Sequence, residues 1–245
     1  MRNPSPWGWR FWGLTLVALL AFGLTLALGR WQLSRAADKE ALQAAITAQR
    51  ARPPLDGAAL AADGAAADAL LHRPVVLQGR WLAGHTVFLD NRQMNGRPGF
   101  HVLTPLRLAD SGAVVLVQRG WVPRNFVERV ALPAVDTPAG QVALQGRVAP
   151  APARLYAFEG AERGMIRQNL TLTAFRVETH LPLLDVTVVQ TGDPSEGLLR
   201  QWPEPVSGVA RHYGYAFQWF GLSGLVAVLY VWFQIVRRFF PSRRA

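Results

Sequence analysis

The chain has 245 residues, half of them apolar, with 26 basic against 16 acidic side chains, a net charge of +10 and no cysteine. The missing thiols exclude disulfides, thiolate metal sites, iron–sulfur clusters and cysteine nucleophiles. Its arginines are scattered, neither in runs nor interleaved with aromatic residues, which argues against a nucleic-acid partner.

Residues 1–10 read as a cytoplasmic N-terminus, followed by an uncharged run from Phe11 to Leu28. As a helix such a run reaches roughly 27 Å, close to the roughly 30 Å of bilayer hydrocarbon. Trp7, Trp9, Trp12 and Trp31 flank it, as amphipathic rings flank spans at the headgroup layer. A buried core helix is the rival reading; a cleaved signal peptide is another, disfavoured by the length of the run and by the poor cleavage site at Leu28-Gly29-Arg30-Trp31. Residues 29–52 extend the helix, since Trp31 to Ala51 is rich in Ala, Leu, Gln, Glu and Lys without Gly or Pro. Pro53-Pro54 ends it, and residues 53–72 form a connector whose Ala/Gly/Asp-rich part, 55–70, reads as a loop.

Strand character begins at residue 73 and lasts to 208. Val75–Trp81, Thr86–Asn91, Phe100–Leu108, Ala113–Trp121 and Val142–Val148 are short β-branched or aromatic runs bounded by turn residues. Asn95-Gly96 and Asp110-Ser111-Gly112 offer tight hairpin connections. Leu170–Thr179 predicts a short helix capped by Asn169, and Asp185–Thr191 a further strand. The expected fold is two transmembrane helices flanking an antiparallel, barrel-like β domain with minor helix, its edges closed or covered. Gly99, Pro105, Gly120 and Pro123 are expected at turns and strand ends.

A second uncharged run, from Tyr215 to Val236, lies in a span assigned to 213–236, with a basic tail at 237–245. Arg237, Arg238, Arg243 and Arg244 follow it, against Arg200 and Arg211 before it, so the C-terminus faces the cytoplasm. Two spans then put both termini inside and the central domain outside; residues 1–10 show no mitochondrial presequence, so a bacterial inner membrane with a periplasmic domain is the simpler reading. Small residues at Gly23/Ala27 and Ser223/Ala227 suggest close helix packing.

Candidate functional residues cluster at the membrane boundary. His212 is the one histidine there, and neutral imidazole is a common axial ligand of haem iron. On a helix Tyr215, Ala216, Trp219 and Ser223 share its face, so aromatic rings could hold a porphyrin plane, and Arg211 could pair with a propionate. The rival is an interfacial histidine in an aromatic belt. Arg119, placed by alternation with Val117 and Trp121, needs a partner: a propionate, a partner-protein loop or an internal carboxylate. Arg30, Trp31, Gln32 and Arg35 lie near the membrane surface, where snorkelling anchors are the default and a docking role is the alternative. His72, His85, His101 and His180 show no metal-ligand spacing.

Three stretches are more particular. They are Gly29-Arg30-Trp31-Gln32-Leu33-Ser34-Arg35; Gly99-Phe100-His101-Val102-Leu103-Thr104-Pro105-Leu106 leading into Val115-Leu116-Val117-Gln118-Arg119-Gly120-Trp121-Val122-Pro123; and Arg211-His212-Tyr213-Gly214-Tyr215-Ala216-Phe217-Gln218-Trp219-Phe220-Gly221-Leu222. In this order, between two apolar runs, they resemble the surfeit-locus family of cytochrome c oxidase assembly proteins from Gly29 to about Phe233. The resemblance implies a non-enzymatic assembly factor that binds haem a transiently, with His212 as the iron ligand, and helps its insertion into subunit I. Haem a synthase and the lipid bilayer are the further partners it implies. Tyr213 departs from the leucine common at that place. The alternative is a scaffold that holds subunit I open without touching haem.

Overall fold

The computed structural model describes residues 8–63, 67–125, 132–152, 164–203 and 208–237. Most of the expected basic tail and the flanking residue Trp7 lie outside them. The chain divides into two units, one formed by residues 1–44 with 205–245, the other by 45–204.

The helical unit is built from α1, Trp9–Arg50, and α5, Val209–Tyr230, which continues as a π-helical turn over Val231–Val236. Helix α1 is unbroken for 42 residues, so the expected extension past the apolar run is present. Both helices are long and apolar enough to cross a membrane. Leu16, Val17, Leu20, Leu24, Phe217 and Val228 are each more than half exposed, which is at odds with buried core helices.

In the second unit, α2 (Gly57–Asp63) and α3 (Ala67–Leu70) replace the expected loop. Asp56 is the reason: its Oδ1 accepts from Ala59 N at 2.8 Å, so Asp56-Gly57 starts a helix, and the alanines that follow extend it. Leu60 and Leu70 then drop into the core.

The sheet comprises β1 (Pro74–Trp81), β2 (Val87–Met94), β3 (Arg97–Leu108), β4 (Val114–Pro123), β5 (Gln141–Ala149), β6 (Ile166–Arg167) and β7 (Leu183–Gln190), in the order β1-β5-β7-β4-β3-β2-β6. Helix α4, Leu172–Thr179, precedes β7 and is capped by Thr171, whose side chain accepts from Ala174 N, rather than by Asn169. The expected antiparallel sheet is corrected to a mixed one, because β4 pairs with β7, and β2 with β6, in parallel. A parallel neighbour needs a long return. Here the excursion through β5, β6 and α4 brings the chain back to the end where β4 starts.

Strand β1 pairs with β5 along one edge and, over Gly79–Trp81, with β3 along the other. Strands β1, β5, β7, β4 and β3 thus form a closed circuit of pairings. Gly79 permits the closing contact, since a Cβ there would lie 2.2 Å from the carbonyl oxygen of Arg107. Strand β4 is buried on both faces. Val115 and Val117 join a core with Leu77, Trp81, Leu106 and Val188, while Val114 and Leu116 meet Leu103, Phe175 and Leu183 on the other side.

The expected turn role of two glycines does not hold. Gly99 and Gly120 lie within β3 and β4. A Cβ on Gly99 would approach Val122 O to 2.1 Å, and one on Gly120 would approach Leu199 O to 2.8 Å. They serve close backbone approach. Pro105 is likewise inside β3, and Pro123 ends β4 as expected.

Candidate ligand site on the helix pair

Helices α1 and α5 run antiparallel along a seam with alternating spacings of three and four. On α1 the buried or half-buried stripe falls at Phe11, Thr15, Ala18, Phe22, Thr25, Gly29, Gln32, Ala36 and Lys39; on α5 it falls at His212, Ala216, Trp219, Ser223, Val226 and Tyr230. That spacing keeps one stripe turned to the partner and suits a shallow crossing. Contacts follow it end to end. The hydroxyls of Thr15 and Tyr230 share a hydrogen bond of 2.9 Å, and Ser223 Oγ donates to the carbonyl of Phe22 at 3.4 Å. A Cβ on Gly29 would lie 2.7 Å from the ring of Phe220, so the glycine makes room for that ring against α1.

This corrects the expected packing motif. Gly23 and Ala27 are exposed, and a Cβ on Gly23 would meet nothing. Ser223 does face α1, while Ala227 lines an apolar cavity of about 210 Å³ with Ala18, Leu19, Phe22, Val226, Tyr230 and Val231.

His212 occupies the seam near the N-terminus of α5. Its ring is half-buried, and Nδ1 lies 2.7 Å from Gln32 Oε1 on α1. One residue on, Tyr213 Oη donates to Glu40 Oε1 at 3.0 Å. Gly208 caps α5 with φ +57° and has the Lys39 ammonium nearby.

The other expected residues distribute around this point. Trp219 is half-buried in the same stripe, two turns along. Tyr215 is not on that face: three residues turn a helix 60° short of a full circle, so it stands at the stripe's edge, 46% exposed. Arg211, Arg30 and Trp31 are exposed. Arg35 is exposed too, with Nη1 3.5 Å from Asp38. Four cations, Arg30, Arg35, Lys39 and Arg211, therefore belong to the same stretch of the pair as the imidazole. Gln32 reads from sequence only as a boundary anchor or docking residue and Gly29 carries no site role there, although the three-four spacing from Phe22 through Ala36 marks both for the inner face.

Arg119 belongs to the other unit. The β3–β4 register slips by one residue there, between Gly120–Val102 and Gln118–Leu103, so simple alternation through Trp121 is interrupted. Its guanidinium is fully buried, donates to Glu196 Oε2 at 2.9 Å, Asp136 O at 2.6 Å and Thr137 Oγ1 at 2.7 Å, and lies 4.6 Å from the centre of the Trp81 ring. The internal carboxylate expected as one of its possible partners is Glu196. Arg200 completes the cluster, donating from Nε to Arg119 O at 2.9 Å and lying 3.4 Å from Glu196.

Among the described residues no group of three metal-ligating side chains converges. His101 is packed edge-on to Trp202 at 5.1 Å, and burial, aided by the charge of Arg92, lowers its pKa to about 4.

The chain is 27% identical over 224 residues, 88% of its length and 94% of the relative, to a SURF1-like protein of Rickettsia felis. It is 28% identical over 247 residues, covering 93% of the chain and 76% of the relative, to Surfeit locus protein 1 of Rattus norvegicus. A shorter match, 30% identical over 121 residues, covers 48% of the chain and 31% of the cytochrome oxidase assembly protein SHY1 of Saccharomyces cerevisiae. The model of the SURF1 family matches residues 19–224, which takes in all three particular stretches, and on that match the chain belongs to the SURF1 family.

Proposed function

We propose that the protein is an assembly factor for a haem–copper cytochrome c oxidase, held in a bacterial inner membrane, which receives haem a transiently and assists its insertion into subunit I. The yeast relative is named for cytochrome oxidase assembly, and that role is carried here to this chain. In this reading α1 and α5 both cross the bilayer, the two termini face the cytoplasm, and the β unit faces the periplasm. The four C-terminal arginines at 237, 238, 243 and 244 support that orientation.

The observation that carries the haem assignment is the position of one imidazole. His212 is half-buried in the seam of the pair, on the stretch that also bears Arg30, Arg35, Lys39 and Arg211. The donor set fits the cargo. Imidazole is a usual axial ligand of haem iron, and guanidinium and ammonium groups pair with propionates. Exposed Tyr215, and half-buried Trp219 two turns along, offer ring faces on the same helix. The bound iron would supply a site for ligation, and the protein's share is to hold the ligand nitrogen, neutralise carboxylates and let go.

No catalytic step is assigned. Hand-over requires that subunit I bind the cargo more tightly than the helix pair does, so moderate affinity suits the task. Haem a synthase is the proposed donor and subunit I the proposed acceptor.

The test is retention of pigment by protein purified after co-expression with haem a synthesis. Wild type should carry a Soret band, and His212→Ala should lose it by roughly ten-fold or more with helical content unchanged. A wild-type protein that carries no pigment yet co-purifies with subunit I would replace the carrier with a scaffold.

A further inference from the structure

The contact between His212 and Gln32 joins two motifs 180 residues apart in sequence, and it has a consequence for the ring itself. An amide oxygen has lone pairs and no proton, so at 2.7 Å the imidazole must be the donor. Donation from Nδ1 places the single proton of the neutral ring there and leaves Nε2 with the lone pair. A free imidazole is under no such constraint. We infer that Gln32 is a positioning residue, which holds His212 in the Nδ1–H tautomer so that Nε2 is the nitrogen offered to an incoming metal centre.

Three features of the helix pair support the role. Gln32 lies on the inner stripe of α1, while its neighbours Trp31 and Leu33 are exposed, so the amide is directed into the seam. Gly29, one turn earlier, lets Phe220 and hence α5 close on α1. Tyr213 and Glu40 tie the helices again beside it, fixing the rotation of α5 that aims His212 at α1. A ligand imidazole whose second nitrogen is hydrogen-bonded is both oriented and made more basic, and loss of such a partner typically weakens metal binding 10- to 100-fold. The inference rests on the haem reading for the identity of the metal centre, but the tautomer belongs to the protein alone.

The experiment therefore reads the tautomer first, on the intact chain in detergent. With nitrogen-15 in the histidines, His212 should show a protonated Nδ1 and a bare Nε2. Gln32→Leu should redistribute the proton towards Nε2, and Gln32→Glu, which keeps an acceptor, should restore the wild-type pattern. In the same samples loaded with haem a, Gln32→Leu should bind roughly 10- to 100-fold more weakly. Gln32→Glu should still bind, with a lower midpoint potential, because an anionic partner makes the imidazole more electron-rich. A wild-type ring protonated at Nε2, or a pattern unchanged in Gln32→Leu, overturns the inference. If the tautomers behave as stated but wild type takes up no haem a, the positioning contact stands and the haem assignment alone falls.

Discussion

Two side chains of the β unit show how local environment sets behaviour that composition does not reveal. Arg119 is a cation with no exposure, held by one carboxylate, a carbonyl, a hydroxyl and an aromatic face. Removing one member of a buried pair leaves the other uncompensated, although Glu196 keeps Arg200 at 3.4 Å. Arg119→Met should therefore cost about 3 kcal/mol of stability, seen as a lower denaturation midpoint, while pigment retention per folded molecule stays unchanged. A haem-contacting role would give the opposite pair of results. His101 responds to pH. Its native pKa of about 4 lies below the ordinary 6.5, so the unfolded chain takes up a proton there first. The stability it preserves is complete above about pH 6.5 and declines as pH falls towards 4, by at most roughly 3 kcal/mol. His72, lowered by burial and then by Arg147 and Arg50, acts in the same direction. Unfolding at about pH 7.5 and about pH 4.5 should show this loss, and His101→Gln should reduce it.

Among the elements, the helix pair makes the sharpest commitment. Its seam puts Phe22 opposite Ser223 and leaves Gly23 and Gly224 facing outward. Because the chain has no cysteine, engineered pairs can be read against a blank background. Phe22→Cys with Ser223→Cys should cross-link on mild oxidation, and Gly23→Cys with Gly224→Cys should not. Gly29→Val should separate the helices and reduce pigment retention several-fold, with partial recovery when Phe220→Ala makes room. Much of this level was legible in the sequence. The apolar runs, the extension to Ala51, the hairpins at Asn95-Gly96 and Asp110-Ser111-Gly112, and six of the seven strands among the described residues follow from local propensity and turn chemistry. What local pattern could not carry was pairing across long stretches. The parallel β4–β7 contact depends on where the chain returns after α4, and β6 has only two residues to announce it. Residues 55–70 read as a loop because capping and turn chemistry use the same side chain, here that of Asp56. At the candidate site, residue type nominates His212, Arg211, Tyr215 and Trp219, although Tyr215 falls off the inner face, and Gln32 reads as one more boundary anchor because its contact with His212 crosses between helices 180 residues apart.

For the molecule as a whole, membership of the SURF1 family and the two long apolar helices support a membrane-bound factor for oxidase assembly. The proposed orientation makes its own prediction. A reporter enzyme active only outside the cytoplasm should work when inserted in the hairpin at 110–112 and fail when fused after Ala245. The function itself is tested most directly by the haem a content of the oxidase in cells lacking this gene. Assembled enzyme should hold several-fold less haem a, with wild type restoring it and His212→Ala restoring little. Oxidase fully loaded with haem a in the absence of the protein would contradict the proposal outright.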